Sequence, residues 1–129
     1  MLNNQQFREV IVRPALNLLC LYSENAEELL VATMAHESLG GTYVAQVGGP
    51  AYGIFQMEGA TYDSIWNHQL SNDPGLARLV LNGCQYLQIP LPGHMVWNSY
   101  LATMMARVYY RRVHEALPDK GDIEGIANY

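Results

Sequence analysis

Glu37 is the residue whose place in this sequence is hardest to explain without chemistry. It follows Leu30 and Met34 at helical spacing, so an acid continues an apolar row where another hydrophobe is expected. Gly40 and Gly41 come just after it and predict the end of that helix. The negative end of the helix dipole disfavours a carboxylate there, and so does an apolar neighbourhood. Both effects favour the protonated form, which predicts a raised pKa and a carboxylic acid that can donate a proton near neutral pH. In glycosidases such an acid titrates at roughly 6. A solvated acid beyond the helix end, or one paired with an arginine, is the competing explanation.

Downstream, Gly53-Ile54-Phe55-Gln56-Met57-Glu58 offers a turn with a side-chain amide and a second carboxylate, flanked by Tyr43, Tyr52, Tyr62 and Trp66. Aromatic faces stack on the C–H faces of sugar rings, while amides and phenols hydrogen-bond hydroxyl groups, so this set suits a polar, uncharged polymer. Core packing accounts for Trp66 and Trp97 better than for Tyr43 and Tyr52, which stand among glycines.

Other chemistries fail on spacing. His36-Glu37 begins like a zinc-protease signature, but the second ligand position is Gly40. Ser38 lacks the glycine that a nucleophile elbow needs before it. The glycines at 48, 49 and 53 are not followed by the Gly-Lys-Ser/Thr of a phosphate loop. Cys20 and Cys84 form no paired motif and are expected to be buried free thiols. His68, His94 and His114 are scattered singly. No metal or cofactor is expected.

The elements that must position Glu37 and the turn read as helices, because apolar residues recur at helical spacing and β-branched runs are rare. A first helix is expected within residues 3–21, kinked or restarted at Pro14. Asn25 with Glu28 resembles a capping box opening the helix that ends after Glu37. Residues 40–60 predict a glycine-rich loop or a small β-hairpin. A short helix should follow Thr61, and Asp73-Pro74 should cap the next, with Leu76, Val80, Cys84 and Leu87 on one face and Pro90 and Pro92 breaking it. A long helix bearing Trp97, Leu101, Met104, Met105 and Val108 then runs to about Leu117, and a last short one begins near Asp122. The whole predicts a single, mainly α domain: a helical bundle around an acid at a helix C-terminus.

Composition agrees. With 129 residues, 50% of them hydrophobic, the chain is long enough to bury a core without disulfides. Twelve acidic against seven basic residues give a net charge of -5, without the basic footprint of a nucleic-acid binder. The most apolar segment, residues 10–21, is too short and too polar for stable membrane insertion. The N-terminus lacks the basic start and apolar stretch of a secretory signal.

Two motifs resemble the lysozyme-like soluble lytic transglycosylases and, more distantly, goose-type lysozymes. Ala35-His36-Glu37-Ser38 is similar to that family's Glu-Ser pair at a helix end. Ala51-Tyr52-Gly53-Ile54-Phe55-Gln56, with Ala60-Thr61 after it, is similar to the family's Gly-Leu-Met-Gln segment and its trailing Ala-Thr. More weakly, Ile126-Ala127-Asn128-Tyr129 resembles the late helix that bears the family's active-site Tyr. The resemblance covers about a third of the chain and implies an α+β lysozyme-like fold.

It also implies cleavage of the β-1,4 bond between N-acetylmuramic acid and N-acetylglucosamine, with peptidoglycan glycan strands as the partner. Glu37 would be the acid, Gln56 would contact the sugar at the cleavage point, and Tyr129 would orient Glu37 or the substrate. Ser38, Tyr43 and Tyr52 would line the sugar groove. In a transglycosylase the same Glu then serves as base while the muramoyl 6-hydroxyl closes a 1,6-anhydro ring.

Two departures stand out. Glu58 occupies a position usually apolar in transglycosylases and similar to the Asp of goose-type lysozymes, and Gly59 replaces the family's Pro. Glu58, or less strongly Asp63, could thus hold an attacking water roughly 6.5–9.5 Å from the acid, the inverting hydrolase arrangement. A noncatalytic peptidoglycan-binding or virion-structural domain is the third reading. The chain also stops at Tyr129, where family members continue, which suits a fragment or a loosely anchored Tyr129. The expected setting is a bacteriophage enzyme, virion-associated among other virion proteins or held in the host cytoplasm before delivery to the periplasm and cell wall.

Overall fold

A computed structural model of the chain describes residues 3–37 and 51–113, apart from the side chains of Glu37, Arg112 and Val113. Helices dominate these residues, joined by one two-stranded antiparallel hairpin, which is the mainly α architecture the apolar spacing predicts.

The first helical stretch has three pieces, α1 (Asn4–Phe7), a π-helical turn (Arg8–Val12) and α2 (Arg13–Leu18). Asn3 caps it, its side-chain oxygen accepting from the N–H groups of Gln5 at 2.9 Å and Gln6 at 3.1 Å. Pro14 sits in the first turn of α2. It has no N–H to return to Val10, and the ladder widens just before it, so that the Arg13 N–H reaches back to the Arg8 carbonyl. α2 ends in a Schellman turn: Cys20 is left-handed (φ 59) and the Leu21 N–H donates to Leu16 O at 3.0 Å. That turn corrects the expectation for Cys20, which is exposed; Cys84 is half-buried, and burial pushes its thiol up to about 11.

Helix α3 (Glu24–Glu37) opens earlier than the Asn25 box predicts. Ser23 is the cap, its Oγ accepting from the Ala26 N–H at 3.0 Å. After β1 (Ala51–Tyr52) and β2 (Met57–Glu58), α4 (Gly59–Ser64) begins two residues before Thr61 and continues through a π-helical segment (Ile65–Gln69) and a 3-10 turn (Leu70–Asn72). Helix α5 (Pro74–Gly83) starts as Asp73-Pro74 predicts, with Asp73 Oδ1 accepting from the Leu76 N–H at 3.1 Å. It stops well before Pro90, because Gln85 turns left-handed (φ 62) and the Tyr86 N–H closes onto Leu81 O at 2.8 Å. The predicted apolar row is therefore cut: Leu76 and Val80 are buried, whereas Leu87 is fully exposed.

A 3-10 turn (Pro92–Val96) leads into α6 (Ser99–Val113), capped by Asn98 Oδ1, which accepts from the Leu101 N–H at 3.0 Å. Residues 101–106 are buried without exception, so this stretch of α6 is covered on every side, and the helix packs on α2, α3 and α5. Phe7, Leu16, Leu30, Met34, Ile65, Met104 and Val108 join one core around it. Trp97 precedes this helix and is 68% exposed, which corrects its expected place in the core; Trp66 is buried as expected. The helix expected near Asp122 lies outside the described residues. Among those residues no helix is long and apolar enough to cross a membrane.

Among the described side chains, one carboxylate lies inside this packing. Glu27, in the first turn of α3, accepts from Arg8 Nη1 at 2.9 Å and from Arg13 Nε at 2.7 Å and Nη2 at 3.3 Å. Arg8 Nη1 also donates to Glu28 at 2.7 Å. The cluster ties α3 to the π-helical turn and to α2. Burial pushes the Glu27 carboxyl up, but the hydrogen bonds and charges of Arg13 and Arg8 outweigh it and hold the group below the usual carboxylate range.

Candidate functional site

Tyr52, Gln56 and Glu58 all lie on the hairpin, which is anchored from the core outward. Ala51 stands opposite Glu58 and Tyr52 opposite Met57. Cross-strand partners share a face, so Tyr52 and Glu58 lie on opposite faces and are not brought together. The connecting turn, residues 53–56, is closed by the Gln56 N–H donating to Gly53 O at 3.0 Å. Its central residues, Ile54 and Phe55, are buried, and the Phe55 ring meets Phe7 of α1 at 6.0 Å. An apolar plug at the tip thus fixes the turn against the first helix.

Gln56 is left-handed (φ 51), a conformation costly for any residue with a Cβ. Its side chain folds back, and Nε2 donates to the same Gly53 carbonyl at 2.8 Å. The amide nitrogen is therefore committed to holding the turn, and the strain is held in place by the buried plug beside it.

Gly53 is required twice over. Its φ is 80, and a Cβ there would stand 2.6 Å from the Met95 carbonyl oxygen. The hairpin therefore docks directly on the Pro92–Val96 turn. Gly53→Ala should destabilise the fold by about 2–4 kcal/mol, combining left-handed strain with a backbone clash. Thermal unfolding followed by circular dichroism checks this, and a midpoint equal to that of the parent would refute the docking. Gly59 sits against the same support, with the positions of Tyr52 Cε2 and Pro92 Cβ 3.6 and 3.9 Å from where its Cβ would be.

Helix α3 is described as far as Glu37, and the two earlier members of its row, Leu30 and Met34, are fully buried. The Glu37 carboxyl group, and with it the expectation of a raised pKa, lies outside the described residues, as do Ser38, Tyr43 and Tyr129. Glu58 is exposed at the N-cap position of α4, yet its side chain does not cap the helix. Asp63 is exposed on α4.

A cluster that sequence reasoning missed surrounds His94. The Tyr86 Oη and His94 Nδ1 are 3.0 Å apart, Asn98 Nδ2 donates to Tyr86 Oη at 3.1 Å, and the His94 ring lies 4.6 Å from that of Trp97. Two prolines separate Tyr86 from the rest, so no periodicity signals the grouping. Tyr86 also borders a groove of about 470 Å³ lined by Leu70, Pro74, Arg78, Leu81 and Leu87. None of the residues expected to bind sugar lines that groove. Compared with protein-family models, curated proteins and solved structures, the chain finds no match.

Proposed function

We propose that the protein is a lysozyme-like, peptidoglycan-cleaving enzyme, a lytic transglycosylase with Glu37 as its catalytic acid. The observation that carries this reading is the fully buried row of α3 that runs up to Glu37, followed in the chain by a turn in which a strained Gln56 is locked to the core. That order matches the two motifs of the resemblance, and left-handed residues with side chains cluster at functional sites.

In the proposed reaction Glu37 gives its proton to the glycosidic oxygen as the C1–O bond of N-acetylmuramic acid breaks. The resulting carboxylate takes the proton of the muramoyl 6-hydroxyl, whose oxygen closes on C1 to form the 1,6-anhydro ring. Water is not consumed and the acid is regenerated. Gln56 would present its turn to the sugar at the cleavage point, with Tyr52, Ser38, Tyr43 and Tyr129 lining the path. A virion or a lysis partner would bring the enzyme to the wall.

The exposed Glu58, left without a capping role, favours hydrolysis as a second reading, in which it would activate a water. Mass spectrometry of fragments from purified peptidoglycan separates the outcomes. Ends lighter by one water are expected from transglycosylation. Reducing ends would transfer the reading to a muramidase using Glu58 or Asp63, and intact strands that still retain the protein would leave a noncatalytic binding domain.

A further inference from the structure

We infer that Trp97 is a stacking platform for an N-acetylated sugar ring, a subsite carried by the turn that supports the hairpin. The inference rests on the peptidoglycan reading above and names where a further part of the glycan strand is held.

The indole is 68% exposed, yet its surroundings restrain it. His94 lies against it at a ring separation of 4.6 Å and an interplanar angle of 46°. Tyr86 meets the imidazole edge-on at 5.4 Å, with its hydroxyl 3.0 Å from Nδ1. Asn98, whose Oδ1 caps α6, donates its Nδ2 hydrogen to that hydroxyl at 3.1 Å. The Tyr86 hydroxyl thus links Nδ1 of His94 to the Asn98 amide. A chain of polar bonds rooted in a helix cap therefore braces an exposed aromatic face.

A preorganised indole loses little freedom when a ligand settles on it. Its face fits the C–H face of a pyranose, while the indole N–H can donate to hydroxyl and acetamido oxygens. The net charge of -5 disfavours nucleic acid, the other polymer that stacks on aromatics. The platform also adjoins the proposed site through covalent and packing contacts: Met95, two residues before Trp97, seats Gly53, and Pro92 lies beside Gly59. A ring on Trp97 is thus held at a fixed offset from the Gln56 turn.

The test uses the full chain carrying Glu37→Gln, so that glycan is bound and not consumed, and a β-1,4-linked tetramer of N-acetylglucosamine as the probe. The chain has two tryptophans and Trp66 is buried, so acrylamide quenching reports mainly on Trp97. The tetramer is expected to shield the fluorescence from acrylamide. By calorimetry Trp97→Ala should bind it about tenfold more weakly, and Trp97→Phe less so. Undiminished affinity in Trp97→Ala overturns the platform while leaving the peptidoglycan reading in place, and a simultaneous change in self-association would assign Trp97, with exposed Leu91 and Ile89, to a protein interface. If the Trp97-intact protein binds neither the tetramer nor purified peptidoglycan, both the platform and the reading beneath it fall.

Discussion

Glu37→Gln is expected to slow the clearing of purified peptidoglycan by about 10²–10⁴-fold, the usual loss when a positioned general acid is removed. Glutamine keeps the size and the hydrogen-bonding capacity of the side chain and removes only the proton that is transferred. Helix α3 should persist, because its stability comes from the buried row of Leu30, Val31 and Met34 and from the Ser23 cap, all upstream of the substitution. Far-UV circular dichroism should therefore match that of the parent while turbidity stays high. Since the proposed acid would work protonated, the parent's rate should also fall as pH rises through the pKa of that group, and the residual rate of the glutamine variant should lack this dependence. Equal clearing by the two proteins would remove Glu37 from the mechanism, whatever the products prove to be.

The parts of the fold legible in the sequence are those set by local chemistry. Asp73-Pro74 predicts the start of α5 because cap and first helical residue are adjacent. The apolar row through Leu30 and Met34 predicts a buried helix face for the same reason. Where two local signals compete, reading fails by a few residues: Ser23 and Asn25 are both good caps, and Ser23 wins because its oxygen reaches the Ala26 N–H. The end of α5 was hidden because Gln85 takes a left-handed role that glycine usually fills, so Leu87 looked like the next core residue. Trp97 was misread because apolar type is a weak guide to burial for a residue with a polar edge. In the candidate site, Gly53 and Gln56 were legible as a turn, but the support under Gly53 comes from Met95, a tertiary contact without a sequence signature. The Glu27 cluster was invisible for a related reason, since its partners stand 14 and 19 positions away.

That cluster carries a large expected loss of stability. Glu27→Ala should destabilise the protein by about 2–4 kcal/mol, because it removes the largely buried carboxylate that Arg8 and Arg13 share where α3 meets the π-helical turn and α2, while Arg8 keeps Glu28 and the part-exposed Arg13 is taken up by water. A chain of this length should then melt on the order of 10 °C lower at neutral pH. Glu28 offers Arg8 only a secondary hold, so Glu28→Ala should cost far less. The pH dependence has a definite sign. The Glu27 carboxyl titrates lower in the folded protein than in the unfolded chain, where a free Glu titrates near about 4.3. Its contribution is therefore complete above that unfolded value and is lost as pH falls through the folded one. The melting temperatures of the parent and of Glu27→Ala should lie far apart at pH 7 and converge in acid below the unfolded value. A gap that stays constant across this range would mean that Glu27 contributes through packing and not through its charge, because only an ionised carboxylate can be switched off by protons.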